Sequence, residues 1–575
     1  RQLDIQFENQ MGTALIETVD AATGDINLAI NVDAVPDLSN IRLKKLQLSY
    51  QAEASLEVGD ALNFENGSRS ASITVTSATG ETRNYTITVS EFTETLVGTW
   101  DVKKLTIYGG TGPEFGGGAV MQLTDKPWCW SETYGPQAEC DIIIAGDDEE
   151  GVPIVFQQND PRMNVPRNKC ADVMKWVADQ CDLVKDVLPF RYSNENENWG
   201  RVNGAAAYAL KARALLYRAS KLNNPDGNTA YWANAAQAAA DFITQNNKQS
   251  SPYRLYNTGN PENDYYECFT NNPVYNNEII LARSVWNTNQ VEKVFLPVGF
   301  TGSFSGNGRT NPTQNLVDAY EMNNGKRIDE NGSTYDAANP YKDRDPRLAQ
   351  TIFYQGMMWG RADKEERRAI DVRYNSDADK GVDYTSAMGG TYTGYYLKKF
   401  VNNISCKEPA TYPHAWMIFR YGEILLNAAE AYNEAEGPAK AYSYINEVRA
   451  RAGMPAYADM SQSELRERIR NERRIELAFE DHRFFDVRRW KLYDNVTPTG
   501  ETGKPRYNQL LNLYGVKVTG SADTPSYTFG LAETVNSRTF VNPKSYYFPI
   551  PANEVKRAPN LGQNPGWDTG SASNE

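Results

Sequence analysis

Residues 461–490 read SQSELRERIRNERRIELAFEDHRFFDVRRW, and the way this stretch buries its charge decides the fold. Ser461 and Glu464 form the pattern of a capping box, in which a hydroxyl and a carboxylate satisfy the free N–H groups at a helix start. A helix is expected to begin there. Stepping by three and four residues from Leu465 reaches Ile469, Glu472, Glu476 and Phe479, which puts two carboxylates on the stripe that should face a core. Unpaired, they would be costly to bury. Arg470, Arg473, Arg474, Arg483, Arg488 and Arg489 surround them in sequence, and guanidinium forks are natural partners for carboxylates in partly buried sites. The stretch therefore predicts a buried salt-bridge network. The competing reading, an acid/base glutamate pair, needs one carboxyl kept protonated near neutral pH. So many arginines push both pKa values down instead.

Upstream, Ala415 to Glu434 and Ala439 to Ala452 read as a helix pair broken at Gly437-Pro438, since Gly closes one helix and Pro opens the next. With Tyr421, Ala428 and Tyr432 on one partner and Ala441 and Ile445 on the other, the pair spans about 34 residues, the size of a tetratricopeptide repeat. Earlier helices are expected at Cys170–Leu188, with Val173, Val177, Cys181, Val184 and Leu188 on one face, and at Gly204–Leu222 and Tyr231–Ile243. The last two are rich in alanine, which lets helices approach closely. Residues 250–400 are irregular and rich in Asn, Gly, Pro and aromatics, as functional loops are.

The front of the chain has a different period. Residues 1–95 alternate apolar and polar in INLAINVD, IRLKKLQLSY, ASITVTSATG and RNYTITVSEF, and period two between turn residues marks an all-β sandwich, with an immunoglobulin-like form expected. SITVT and NYTITV read as a hairpin through Ala78 to Glu81. Residues 96–148 read as a small β unit or linker, opened by a strand at VGTWDVKKLTIYGG. Residues 149–575 then form the mainly α part.

Composition narrows the function. At 575 residues two or three domains are expected. A net charge of −14 and a pI near 5.0 lack the basic footprint of a nucleic-acid partner. Six Cys are neither a disulfide framework nor a metal array. Cys129 and Cys140 could bridge a loop, whereas Cys170 and Cys181 sit roughly 16 Å apart along one helix and cannot. Only two His remove most His-based catalysis and metal binding. No cofactor is expected. No apolar run reaches the roughly 18 residues of a membrane-spanning helix, and no stretch reads as a signal peptide.

From about Gly151 to Trp567 the chain resembles the SusD/RagB family of bacterial outer-membrane nutrient-binding lipoproteins. The blocks that carry the resemblance are GVPIV (151–155), NVPRNKCADV (164–173), NWGRVNGAAAYALKARALLY (198–217) and NGRTNPTQNLVDAYEM (307–322). They continue with DPRL (345–348), TGYYLKKF (393–400), RYGEILLNAAEAYNEA (420–435), the stretch 461–490 and YYFPIPANEVKRAPNLGQNPGW (546–567). The resemblance implies a helical scaffold of tetratricopeptide-like pairs carrying long loops. It also implies a non-enzymatic role on the cell surface, anchored in the outer membrane by an N-terminal lipid outside this chain. There the protein would capture oligosaccharide, or peptide as in the RagB branch, and pass it to a SusC-like TonB-dependent transporter. The departure is at the front, where β-type sequence stands in place of the family's leading helices. Either the architecture is unusual, or the sequence is incomplete or joins pieces of two polypeptides, and the place for a junction is between about 140 and 152.

A sugar face needs flat aromatics with amide and charged groups at their edges. The loop GFTGSFSGNGR, Gly299 to Arg309, supplies Phe300, Phe304, Asn307 and Arg309, against the alternative that a glycine-rich loop is only flexible. Trp128, Trp130 and Tyr134 form the densest aromatic cluster, either a second stacking platform or the plug of a small β domain. Trp199, Trp286, Trp359 and His414 are expected to be structural. Glu330, Asp343 and Asp345 lack the closed spacing of a Ca²⁺ loop. A glycoside hydrolase would need paired carboxylates in a cleft, and no convincing pair stands out.

Overall fold

The computed structural model describes residues 3–92 apart from 21, 32–37, 50, 66 and 67, then 98–101 and 120–123. It also describes residues 166–567 apart from 387, 388, 497–500, 502 and 533–536. These residues fall into two compact units, before and after the stretch 124–165.

In the first unit the period-two runs become strands. Asp4–Phe7, Ile41–Gln47 and Ala61–Leu62 form one sheet; Gln10–Thr18, Thr23–Asn31, Thr82–Phe92, Ser70–Thr76 and Glu53–Ala54 form the other in that order. Within it Thr23–Asn31 and Thr82–Phe92 run parallel. The expected hairpin is present, with Thr76 opposite Thr82 and a turn through Gly80 at φ +82°, an angle that favours glycine. Alternation sends Ile26, Leu28 and Ile30 inward, where they share one core with Ile73 and Ile87 and with Ile5, Phe7, Ile41 and Leu43 of the smaller sheet. The unit is thus strand-rich, as its period requires. Further on, Gly98–Asp101 pairs with Val120–Leu123.

The second unit is mainly helical. Cys170–Val184, Gly204–Ala219, Thr229–Asn247, Tyr421–Glu436, Pro438–Arg451 and Gln462–Glu476 pack on one another in a layered scaffold. Ala212 and Ala219 of the second helix meet Ala235, Ala236 and Ala239 of the third and Ala428 and Ala431 of the fourth in one core. Gly204 opens its helix where a Cβ would stand 2.5 Å from the Lys185 carbonyl, so only glycine fits. The irregular segment folds into short strand pairs around a second core of Val317, Tyr320, Ile352, Phe353, Ile370 and Tyr395. No helix among the described residues is long and apolar enough to cross a membrane.

Three expectations shift. The first helix ends at Val184, which is exposed, and its buried face is Cys170, Val173, Met174, Ala178 and Cys181. Residues 415–420 are not helical: Met417–Arg420 pairs with Ile279–Ala282, and Tyr412–His414 with Trp286–Thr288. These partners lie too far along the chain for local periodicity to reveal them. The helix at 461 carries the expected capping box but stops at Glu476, and Phe479 and Asp481 take left-handed φ angles of 62° and 65° before a second helix, His482–Arg489.

The charge network is present, and its partners come from elsewhere. Arg347 bridges Asp345 at 2.8 Å, Glu472 at 2.6 Å and Glu476 at 2.9 Å. Arg420 reaches Glu278, Glu476 and Glu480 at 2.6, 2.9 and 2.7 Å. Arg449 joins Glu321 to Glu472, and Arg451 joins Glu278 to Glu476. Of the arginines inside the stretch, Arg473 and Arg489 hold Asp486 and Glu430 instead. Burial alone would raise the Glu476 carboxyl, but the guanidiniums of Arg451, Arg420 and Arg347 outweigh it and hold the group far below the usual carboxylate range. Glu476 therefore stays ionised near neutral pH and cannot serve there as a general acid.

Candidate binding face

The segment 286–309 runs from the strand Trp286–Thr288 through the short helix Gln290–Phe295 into the loop Gly299–Arg309. The end of the loop folds back on that helix: the N–H groups of Asn307, Gly308 and Arg309 donate to the carbonyls of Lys293, Leu296 and Val294 at 2.8, 3.0 and 3.0 Å. Its middle is pinned by Ser303, whose N–H donates to Cys406 O and whose hydroxyl donates to Lys407 O, both at 2.6 Å. A Cβ at Gly302 would stand 2.2 Å from the Cys406 carbonyl, so this glycine serves close backbone packing rather than flexibility.

Asn311 ties a second loop to the first. Its amide nitrogen donates to Gly308 O at 3.1 Å and Tyr395 O at 3.2 Å, while its oxygen accepts from the Tyr392 N–H at 3.3 Å. Tyr392, held there, is 56% exposed. Of the four residues read from the loop, Arg309 is exposed, and Asn307 is half-buried with its side-chain oxygen free of any hydrogen-bond partner. Phe304 is half-buried on the loop core. Phe300 differs: it is 5% exposed, with the Arg368 guanidinium 4.2 Å from its ring centroid, so the ring supports the loop from below. Trp128, Trp130 and Tyr134, with Cys129, Cys140 and the junction near 140–152, lie outside the described residues.

The strand preceding the helix adds Trp286, which sequence reading takes as structural, and Trp416 joins it from the far side of the paired strand. Trp286 and Trp416 are each 44% exposed. Arg283 links them: its guanidinium lies 5.8 Å from the Trp286 ring centroid and its N–H donates to the Trp416 carbonyl at 2.9 Å. Its own carbonyl accepts from the Trp199 indole N–H at 3.1 Å. Phe400 packs against Trp416 with ring centroids 5.6 Å apart. No local pattern announces this grouping, because the pairing of 286–288 with 412–414 creates it. Trp359, in contrast, is buried as expected.

Beneath the face, His414 is buried, and its Nε2 lies 3.2 Å from Oε1 of the fully buried Glu292. The same oxygen accepts from the Asn402 N–H at 2.9 Å. Glu292 belongs to the helix that holds the loop, and His414 is paired with Trp286, so this contact joins the two parts of the face. Two of the three carboxylates considered for Ca²⁺ are engaged elsewhere, Asp345 by Arg347 and Glu330 by Arg468. Among the described residues no group of His, Cys, Asp and Glu could hold a metal ion.

Fold and face together define a helical scaffold protein that displays long, backbone-pinned loops with aromatic and polar side chains. The chain belongs to the SusD family, whose model matches residues 244–567. Two relatives from Formosa agariphila match in part. SusD-like protein P2 is 41% identical over 165 residues, 25% of this chain and 32% of that protein. SusD-like protein P25 is 38% identical over 110 residues, 18% of this chain and 20% of that protein. The chain thus spans about a third or less of these relatives' lengths. Among solved structures, a SusD-like protein from Bacteroides fragilis is 26% identical, with a TM-score of 0.55 over 72% of this chain and 74% of that one. Another from the same species, described as a SusD-like carbohydrate binding protein, shares the fold at 24% identity, with a TM-score of 0.52 over 72% and 76%.

Proposed function

We propose that this is a non-enzymatic, surface-exposed binding protein that captures oligosaccharide and passes it to a SusC-like TonB-dependent transporter, held at the outer membrane by an N-terminal lipid. Membership of the SusD family supports the reading, as does the carbohydrate-binding description of one protein of the same fold. The observation that carries it is the exposed Trp286, on the segment that leads into the loop bearing Phe304, Asn307 and Arg309, with Arg283 linking it to the exposed Trp416. Indole faces stack on the C–H surface of a sugar ring, and guanidinium and amide groups fix its hydroxyls. In this reading residues 1–95 are an immunoglobulin-like spacer, residues 96–148 a small β unit or linker, and residues 149–575 the binding domain.

Calorimetry against panels of oligosaccharides and peptides, with product analysis of each mixture, tests this. Saturable binding of an oligosaccharide without new reducing ends is the expected result. Binding of peptides alone would replace oligosaccharide by peptide as cargo, and sustained hydrolysis would overturn the non-enzymatic reading.

A further inference from the structure

The charge network consumes carboxylates and arginines together, but one group of arginines is left over. Arg470, itself paired with Glu467 at 2.9 Å, and Arg474 lie one turn apart on the helix Gln462–Glu476, so they share a face. Arg483 and Arg488 belong to the next helix, His482–Arg489. The chain segments 507–511 and 538–545 bring the rest together. The Arg474 guanidinium donates to the Tyr507 carbonyl, the backbone N–H of Arg538 donates to Leu511 O at 2.8 Å, and the Arg488 guanidinium donates to Ser545 O at 3.2 Å and Phe484 O at 2.9 Å.

Among the described residues the carboxylates that face Arg474 and Arg483 are held by other groups. Asp318, which faces Arg474, is held by Arg506 at 2.6 Å and by Gln314 at 2.6 Å. Asp486, which faces Arg483, is held by Arg473 and Arg489. Among the described residues the guanidiniums of Arg474, Arg483, Arg488 and Arg538 make no ion pair, and those of Arg483 and Arg538 make no hydrogen bond either. Their mutual repulsion is felt. Burial pushes Arg483 down to about 10 against the pull of Asp486, and the charges of Arg538 and Arg470 add to the depression. Burial and then Arg483 lower Arg474 further. Such a knot is out of keeping with a chain of net charge −14. Uncompensated guanidiniums in a partly dry site favour an anion that can accept several N–H groups at once.

We propose that Arg474, Arg483, Arg488 and Arg538 form a binding site for an oxyanion, a sulfate, phosphate or carboxylate group, separate from the aromatic face. Arg538 is exposed and gives access from solvent, while Arg474 and Arg483 are half-buried and form the floor.

Thermal unfolding of the full chain in chloride, sulfate, phosphate and glucuronate at matched ionic strength tests the site, with Arg483→Gln and Arg538→Gln as variants. At saturation at least one oxyanion should raise Tm by about 2–4 °C over chloride, and each variant should lose at least half of that rise. In chloride the variants should match or exceed the parent in Tm, because each removes a repelling charge. Sedimentation with phosphatidylglycerol vesicles adds a source arm: co-sedimentation lost in the variants assigns the oxyanion to a lipid headgroup, and protection by free anions without vesicle binding assigns it to a small solute. Equal shifts in parent and variants would reduce the effect to general salt exclusion and overturn the site. So would a clear fall in Tm of both variants in chloride, which would mean that the folded chain already supplies the partners.

Discussion

Glu476 shows how much one residue can depend on others. Its carboxylate is fully buried among Arg347, Arg420 and Arg451, so Glu476→Gln leaves three guanidiniums sharing one missing charge. Breaking a buried pair from one side costs about 3–5 kcal/mol, and denaturant titration should show a loss of that order; a loss below about 1 kcal/mol would mean that water replaces the carboxylate. On the face, Trp286→Ala should weaken glycan affinity by about tenfold, near 1.4 kcal/mol, with little change in Tm. Phe304→Ala should also weaken the ligand without unfolding the protein, and unchanged affinity would remove the loop from the site. Phe300→Ala should act on stability, by about 3–5 kcal/mol, because that ring is buried under Arg368. At this scale the sequence identified residue types well and exposure poorly. Phe300 and Phe304 share one loop and one chemistry, and only burial separates them: Phe300 belongs to the core against which the half-buried Phe304 packs.

At the scale of elements, the face is held by hydrogen bonds to backbone groups together with the buried Phe300, Glu292 and His414. Asn311 is the staple between the loops 299–309 and 391–395. Asn311→Ala should lower ligand affinity several-fold while costing about 1–3 kcal/mol of stability; binding by calorimetry and Tm by scanning calorimetry on the same sample would separate the two effects. An unchanged affinity would show that Tyr392 takes no part. Local pattern was enough for the capped helix at 461, the alanine helices and the Ser70–Phe92 hairpin, since each rests on spacing within a few residues. It failed at 415–420, where Met417–Arg420 gains a strand partner some 140 residues away, at Ile279–Ala282, and tertiary pairing overrides local preference.

For the whole molecule, the buried carboxylates set the response to pH. Arginine charge outweighs burial and holds Glu423 at about 2, and it lowers Glu430, Glu476 and Asp486 as well. Groups with depressed folded pKa values stabilise fully above their unfolded values and lose that contribution as pH falls. Burial holds His482 down at about 4 despite the pull of Glu423, so it adds a loss beginning below about 6.5. Tm should therefore be flat between about pH 6.5 and 7.5, below the range in which the buried Lys398 and Lys399 titrate, decline gently to about 4.5 and then fall steeply toward pH 2. A Tm that holds between pH 5 and 3 would contradict the network's weight in stability.

The stretch 461–490 by itself determined that a capped helix forms and that two of its carboxylates must be neutralised inside the protein, because helical period and the cost of burying charge are local facts. Only the tertiary structure decided which cations do so. Arg347, Arg420, Arg449 and Arg451 reach Glu472 and Glu476 from outside the stretch, and most of the arginines inside it turn elsewhere. The same holds for the proposed binding face: composition pointed to its loop, whereas the exposure of Trp286 and Trp416 came only with the tertiary structure. Charge pairing and solvent exposure depend on distance through space, which the order of residues along a chain does not carry.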